Sequence, residues 1–374
     1  MITDKKNQHY VPKFYLRNFS YENNKKQIGL FNVNNELYIS KAVLKSQGSK
    51  NFFYGQDGMI EDNLSTIEGD LAIIIRQILN DKNVPRKNTK DHYRLLLFVT
   101  LTDLRNPMRV SENRGFLEAM RKKLLEVDSN TDIDKMLPIP TDETLIRHNL
   151  ASISEIAPMM LDLDYKILLN RTSNPYITSD FPIVKYNQYL EGKKWNEGKT
   201  GYSATGLQIF VPINHEVLLV FYDSGIYKLG DKRKNLHIIT DSTEVDQINL
   251  LHFLNCTDTI YFDEKATEKY IRFIYMKSKK YQRANQTNSA LSYVIAEGDE
   301  ESRRSVNLGL KNFVKVNNTA CETNLKIKGI KIHTRGKKHE LDDSLAQMRP
   351  FAMKIYDERQ GKDEKQPSLK WEFK

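Results

Sequence analysis

The chain has 374 residues, 39% of them apolar and 28% charged, with 57 Lys+Arg against 48 Asp+Glu for a net charge of +9. An aromatic content of 10% excludes a chain that is disordered throughout. Two widely separated cysteines, Cys256 and Cys321, exclude a disulfide framework or a zinc knuckle. No stretch approaches the roughly 20 apolar residues of a membrane helix, and the start Met-Ile-Thr-Asp-Lys-Lys has no apolar leader, so the expectation is a cytoplasmic protein with no membrane partner. The basic balance points to an anionic partner, nucleic acid first.

Along the chain, Gln8-His9-Tyr10-Val11-Pro12-Lys13-Phe14-Tyr15-Leu16-Arg17-Asn18-Phe19 comes first, polar groups interleaved with core-type side chains. Pro12 suits the first turn of a short helix over 12–19. Ile28–Val33 and Glu36–Ala42 alternate around Asn34-Asn35, a hairpin. The spacing of Leu64, Ile67, Leu71, Ile74, Ile75 and Ile78 predicts a helix over 61–80 with Glu68 at the edge of its apolar stripe. Thr89 caps a second helix to Leu104, so apolar at Leu95-Leu96-Leu97-Phe98-Val99 that it must be covered nearly all round. Arg105-Asn106-Pro107 closes it. Helices over 108–126 and 143–162 flank a loop at 127–142.

Short strands follow at Tyr165–Leu169, Pro175–Thr178, Ile183–Tyr186, Gly206–Val211 and Glu216–Tyr222, rich in Ile, Val, Tyr and Phe. Asp241-Ser242-Thr243 caps a helix to Leu254, Thr259–Phe262 is a strand, and 264–280 is a basic helix. Strands are expected at Phe313–Val316 and within Asn324–His333, and a charged tail at 356–374. The fold class is α+β, a helical central region between β-rich N-terminal and C-terminal parts. A core domain over 1–280 is followed by a basic extension over 281–374, where 18 Lys+Arg meet 13 Asp+Glu.

Three places carry candidate chemistry. In the opening motif His9 suits a proton carrier, a metal ligand or a phosphate contact, and Arg17 offers a planar fork for phosphate or carboxylate. The same two residues equally suit anchors bonded to nearby carbonyls. In Asn174-Pro175-Tyr176-Ile177-Thr178-Ser179-Asp180-Phe181-Pro182, Asp180 suits a base or metal ligand and Ser179 a nucleophile or orienting donor; a Ser/Asp turn before proline is the plain alternative. Third, Glu68, Arg105 and Asn249 are polar groups on apolar elements, and Glu68 with Arg105 is also a simple ion pair. Walker A, G-x-G-x-x-G, G-x-S-x-G and H-E-x-x-H patterns are absent.

The run Gln8 to Phe19, together with Thr178-Ser179-Asp180-Phe181-Pro182, Ile67-Glu68, Arg105-Asn106-Pro107 and Asn249, resembles the domain-of-unknown-function family 4238 over about residues 5–280. Phe181 stands where that family usually has Asn. The resemblance implies a site assembled from distant segments around His9, Arg17, Arg105, Ser179 and Asp180, and a place in bacterial defence or toxin-like systems.

These readings give the expectation of a nuclease acting on RNA or DNA. His9, Asp180, Glu68 and Ser179 are the catalytic candidates, Tyr10, Arg17, Arg105 and Asn249 the substrate-binding ones, and Mg²⁺ or Mn²⁺ a suitable ion. Lys326, Lys328, Lys331, Arg335, Lys337 and Lys338 would meet the nucleic-acid backbone, or form a solvated face. The alternative is a non-catalytic nucleic-acid- or nucleotide-binding sensor of a defence system, with a phage or defence-system protein as a further partner. A nucleotide- or NAD-consuming enzyme is the third class.

Overall fold

The computed structural model describes residues 6–127, 129–130, 132–195, 198–283, 289–295, 312–318, 323, 325–339, 341 and 347–360. The fold is α+β, with two larger sheets and three two-stranded ones among the described residues. In the five-stranded sheet, Leu236–Ile239 runs parallel to Asp164–Asn170. Val217–Tyr222, Gln208–Pro212 and Val184–Tyr186 follow in order, each antiparallel to its neighbour. The four-stranded sheet is antiparallel, in the order Leu37–Val43, Gln27–Asn32, Thr259–Phe262, Thr178–Ser179.

The central strands of the larger sheet are apolar at nearly every position because both faces are covered. Ile167, Leu169, Leu219, Phe221, Ile209 and Val211 face the helical layer. Leu168, Leu218, Val220, Tyr222 and Phe210, one residue out of phase, face a second core. The helical layer is Met59–Asp81, Lys90–Leu104, Pro107–Val127 and Asp142–Ala151. Leu64, Leu71, Ile74, Ile75 and Ile78 bury the stripe of the first helix, while Ile67 points outward. Thr89 caps the second, its side chain accepting from His92 N at 3.2 Å, and that helix is buried from Leu95 to Leu104 except at Leu97.

One correction follows: the strand expected at Pro175–Thr178 is only Thr178–Ser179. Parts of the expected extension over 281–374 pack against the rest of the chain. Ile330–Ile332 pairs with Tyr227–Leu229, and Ile327 and Ile330 enter the second core. Arg349 is fully buried against Asp162. The helix Pro350–Gln360 occupies the start of the expected tail, and residues 361–374 lie outside the described residues. Asn312–Asn318 is a strand, as expected for that region, paired with Ser289–Ile295.

Three buried imidazoles set how the fold responds to acid. Burial pushes His9 and His92 down to about 4 and His252 to about 3. At His92 the geometry agrees, since Nδ1 accepts from Asn88 N at 3.1 Å and so carries no proton. The unfolded chain protonates these groups below pH 6.5 and the folded chain does not, so stability is present above that value and falls as pH drops toward 4. Asp180, raised by burial to about 6, works the other way between pH 6 and 4 and offsets one of the three. We expect the unfolding free energy to fall by roughly 2 kcal/mol per pH unit below pH 6. Urea unfolding at pH 7.0, 6.0 and 5.0 checks this; a flat profile would contradict neutral burial of the three rings.

Candidate functional site

The opening motif folds back onto the body of the protein as an anchor. Asn7–His9 pairs antiparallel with Ser49–Asn51, and the next two N–H groups, of Tyr10 and Val11, both donate to the Gly48 carbonyl at 2.9 and 3.0 Å. Gly48 has φ +59°, and a Cβ there would lie 2.7 Å from that of Val11, so the turn receiving the motif requires glycine. Gln8 is fully buried, donating to Gly55 O at 2.9 Å and accepting from Tyr54 N at 2.6 Å. Tyr15 donates to Pro212 O at 2.6 Å and lies 2.7 Å from Thr178 Oγ1, which ties the short helix Lys13–Leu16 to both sheets. Val11, Leu16 and Phe19 complete the contact with the core.

The candidates separate in this setting. His9 is buried, with Nε2 donating to Lys45 O at 3.1 Å. Burial, the Lys13 ammonium and the Arg105 guanidinium lower it to about 4, so at neutral pH it is an uncharged imidazole with a bare Nδ1 rather than a proton carrier. Tyr10 packs edge-on against Phe53 and feels the charges of Asp180 and Asp258. Arg17 is exposed, and its guanidinium has no ion pair among the described residues; the cations acting on His9 are Lys13 and Arg105.

Asp180 and Ser179 make the hydrogen bonds of the turn reading. The Asp180 carboxylate accepts the N–H groups of Thr257, Asp258 and Thr259 at 2.8, 2.8 and 3.0 Å. It thereby closes the link between the helix Ser242–Asn255 and the strand Thr259–Phe262. Ser179 is fully buried, its Oγ donating to Phe181 O at 2.8 Å and accepting from Phe181 N. Asn249 likewise bonds the main chain. It accepts from Ile177 N at 3.1 Å and donates to Pro175 O at 2.8 Å, holding 175–177 in place. Asn106 reaches the same turn, donating to Asp180 O at 2.7 Å. The Phe181 ring lies under the Arg109 guanidinium, 4.9 Å from the centroid. With their main-chain engagements, His9 and Asp180 do not fit as a metal pair. Among the described residues no three His, Cys, Asp or Glu side chains converge as metal donors.

Glu68 and Arg105 form the ion pair, with Nη1 on Oε1 at 2.7 Å. Arg105 is fully buried beside Tyr54, whose hydroxyl donates to His9 O at 2.9 Å. Burial works to lower the Arg105 pKa; Tyr54, Glu68 and Glu61 outweigh it, and the guanidinium stays charged.

The basic candidates are placed on the surface. Lys326, Lys328, Lys331, Arg335, Lys337 and Lys338 are all exposed, and no acid occurs between 325 and 338. Ile327 and Ile330 point into the core, while Lys326, Lys328 and Lys331 beside them are exposed. The ribbon has a second half that sequence reasoning missed. Tyr227–Leu229 pairs with Ile330–Ile332, putting exposed Lys228 directly opposite exposed Lys331, and Lys232, Arg233 and Lys234 follow in the next loop. The run Lys232-Arg233-Lys234 was the available signal; its partner strand lies about a hundred residues away. Lys328 is paired with Asp241 at 2.6 Å, whereas the other cations named here have no ion pair among the described residues.

Also unforeseen is a cleft of about 360 Å³ lined by Asn170–Ser173, Pro175, His215, Glu216 and Lys265. There Asp263 holds His215 by Nδ1 and raises its pKa. Glu216 is neutralised by Lys82 and Arg171.

A family described as Protein of unknown function (DUF4238) matches residues 7–266, well over half of the chain and the whole span from the opening motif to the Asp180 turn and Asn249. The chain belongs to the DUF4238 family. No curated protein and no solved structure matches it. The lysine-rich stretch 326–338, of which Ile330–Ile332 pairs with Tyr227–Leu229, lies outside the matched residues. Among the described residues, no helix is long and apolar enough to cross a membrane.

Proposed function

We propose that this DUF4238 protein binds nucleic acid through the basic ribbon of residues 228–234 and 326–338, as a recognition protein rather than by cleavage at the opening motif. The observation that carries the reading is Lys228 opposite Lys331. Like charges directly across a strand pair destabilise it, and here neither lysine has an ion pair among the described residues and further exposed cations flank them, with Lys328 paired to Asp241 and Asp231 in the adjoining loop. A polyanionic backbone supplies the compensating charge. The nuclease expectation loses its motivation at Asp180, Ser179 and Asn249, whose polar atoms are spent on the main chain. A role as the nucleic-acid sensor of a defence system is the form of the proposal that the family resemblance suggests.

The test is binding of labelled single- and double-stranded oligonucleotides by fluorescence anisotropy at several salt concentrations. The reading requires log K to fall linearly with log salt, with a slope of several units. Absence of binding at low salt, or binding indifferent to salt, would contradict it.

A further inference from the structure

The cleft at His215 is walled by loops from both larger sheets. They are the loop after strand Asp164–Asn170, the turn between strands Gln208–Pro212 and Val217–Tyr222, and the turn after strand Thr259–Phe262. Their backbones are tied together. Arg171 N donates to Ile239 O at 2.9 Å, Tyr176 N to His215 O at 3.0 Å, and the Asn170 side chain to Asn174 O at 2.6 Å. Asp263, itself buried, engages His215 Nδ1 with one carboxylate oxygen and accepts from Lys265 N at 3.0 Å with the other. Nδ1 therefore carries a hydrogen. Nε2 has no hydrogen-bond partner among the described residues, and the partly exposed ring lines the cleft. Arg171 and Lys265 are exposed and line it too. Glu216, the acid among the lining residues, is matched by Arg171 and by Lys82 at 3.3 Å.

We propose that this cleft binds the phosphate group of a small phosphorylated metabolite, with Arg171, Lys265 and the His215 imidazolium donating to its oxygens. Donors on three separate loops suit a tetrahedral group presenting three oxygens, whereas a carboxylate offers two in one plane. The hydrogen bond from Asp263 raises the His215 pKa, burial opposes it, and the charges of Asp263, Glu216 and Glu264 add to the rise. Phosphate monoesters become dianionic above about pH 6, so near neutrality ligand and imidazole carry opposite charges. Of the other charges around the ring, Glu216 is held by Arg171 and Lys82, and Glu264 lies 3.9 Å from Lys265 Nζ. The volume of about 360 Å³ leaves room for the organic part of the ligand against Pro175. The site is separate from the ribbon. Lys166, near the start of strand Asp164–Asn170, bonds Asp231 O in the ribbon's loop, while the cleft opens past Asn170 at the strand's other end.

The experiment is isothermal titration calorimetry with ribose 5-phosphate, inorganic phosphate, ribose and acetate at constant ionic strength. Saturable binding of ribose 5-phosphate is expected at pH 6.5, tighter than that of inorganic phosphate and absent with ribose and acetate. It should be unchanged in Lys228→Ala/Lys331→Ala/Lys337→Ala, which removes anion effects at the ribbon. Affinity should fall several-fold at pH 8.5, where the ring loses its proton while the ligand stays dianionic, and this pH dependence should vanish in His215→Gln. If His215→Gln does not fold, having stripped Asp263 of its partner, Lys265→Ala decides: this exposed side chain should be worth about tenfold in affinity. No saturable binding of ribose 5-phosphate, equal binding of acetate, a preference for inorganic phosphate, loss in the triple ribbon variant, or unchanged affinity in Lys265→Ala would each overturn the proposal.

Discussion

Asp180→Ala is expected to lower the unfolding free energy by roughly 3–5 kcal/mol. The reason is the number of main-chain donors left behind. Thr257, Asp258 and Thr259 all point their N–H groups at one carboxylate that is almost wholly enclosed. Removing it strands three donors where the helix Ser242–Asn255 hands over to the strand Thr259–Phe262. That strand pairs on one side with Gln27–Asn32 and on the other with Thr178–Ser179, so the loss is felt across the smaller sheet. Asp180→Asn keeps one acceptor oxygen and should cost less. Urea denaturation measures both. A catalytic Asp180 predicts the opposite pattern, with stability unchanged or improved and only activity lost.

The second large effect is at the ribbon. Lys228→Ala/Lys331→Ala/Lys337→Ala should weaken nucleic-acid binding on the order of 100-fold at physiological salt and make the salt slope shallower by about 2–3 units, each lost phosphate contact contributing a little under one unit on a duplex. The same variant should not be less stable than the wild-type protein, because the Lys228–Lys331 juxtaposition is repulsive across the strand pair. Loss of affinity without loss of stability separates a binding surface from a structural one. Weakened binding with an unchanged salt slope would mean that these lysines touch no phosphate.

How far the fold could be read from the residues depended on the range of the contacts. The helix Met59–Asp81 is evident from Leu64, Leu71, Ile74, Ile75 and Ile78, since its burial follows its own period; only Ile67 departs, exposed on the outer side. Thr89 and Asp241 announce helix starts through bonds to residues two or three positions on. The Glu68–Arg105 pair was legible from one charge at a stripe edge and another closing a buried helix. The roles of His9, Asp180 and Asn249 were not, because His9 is engaged by Lys45, Asp180 by the main chain at 257–259 and Asn249 by Ile177 and Pro175. A histidine or aspartate that holds a distant main-chain segment has the same appearance in sequence as one that holds a substrate. The six lysines and arginines of 326–338 could be seen as a group, but their confrontation with Lys228 depends on a strand pairing that no local pattern encodes.

The most direct test compares oligonucleotide affinity for the wild-type protein, Ser179→Ala and the triple ribbon variant in one anisotropy assay at fixed salt. Ser179→Ala should bind as the wild type does and the triple variant far more weakly. Equal affinities for the triple variant and wild type, with loss in folded Ser179→Ala, would move the nucleic-acid site to the Thr178–Asp180 turn and contradict the account.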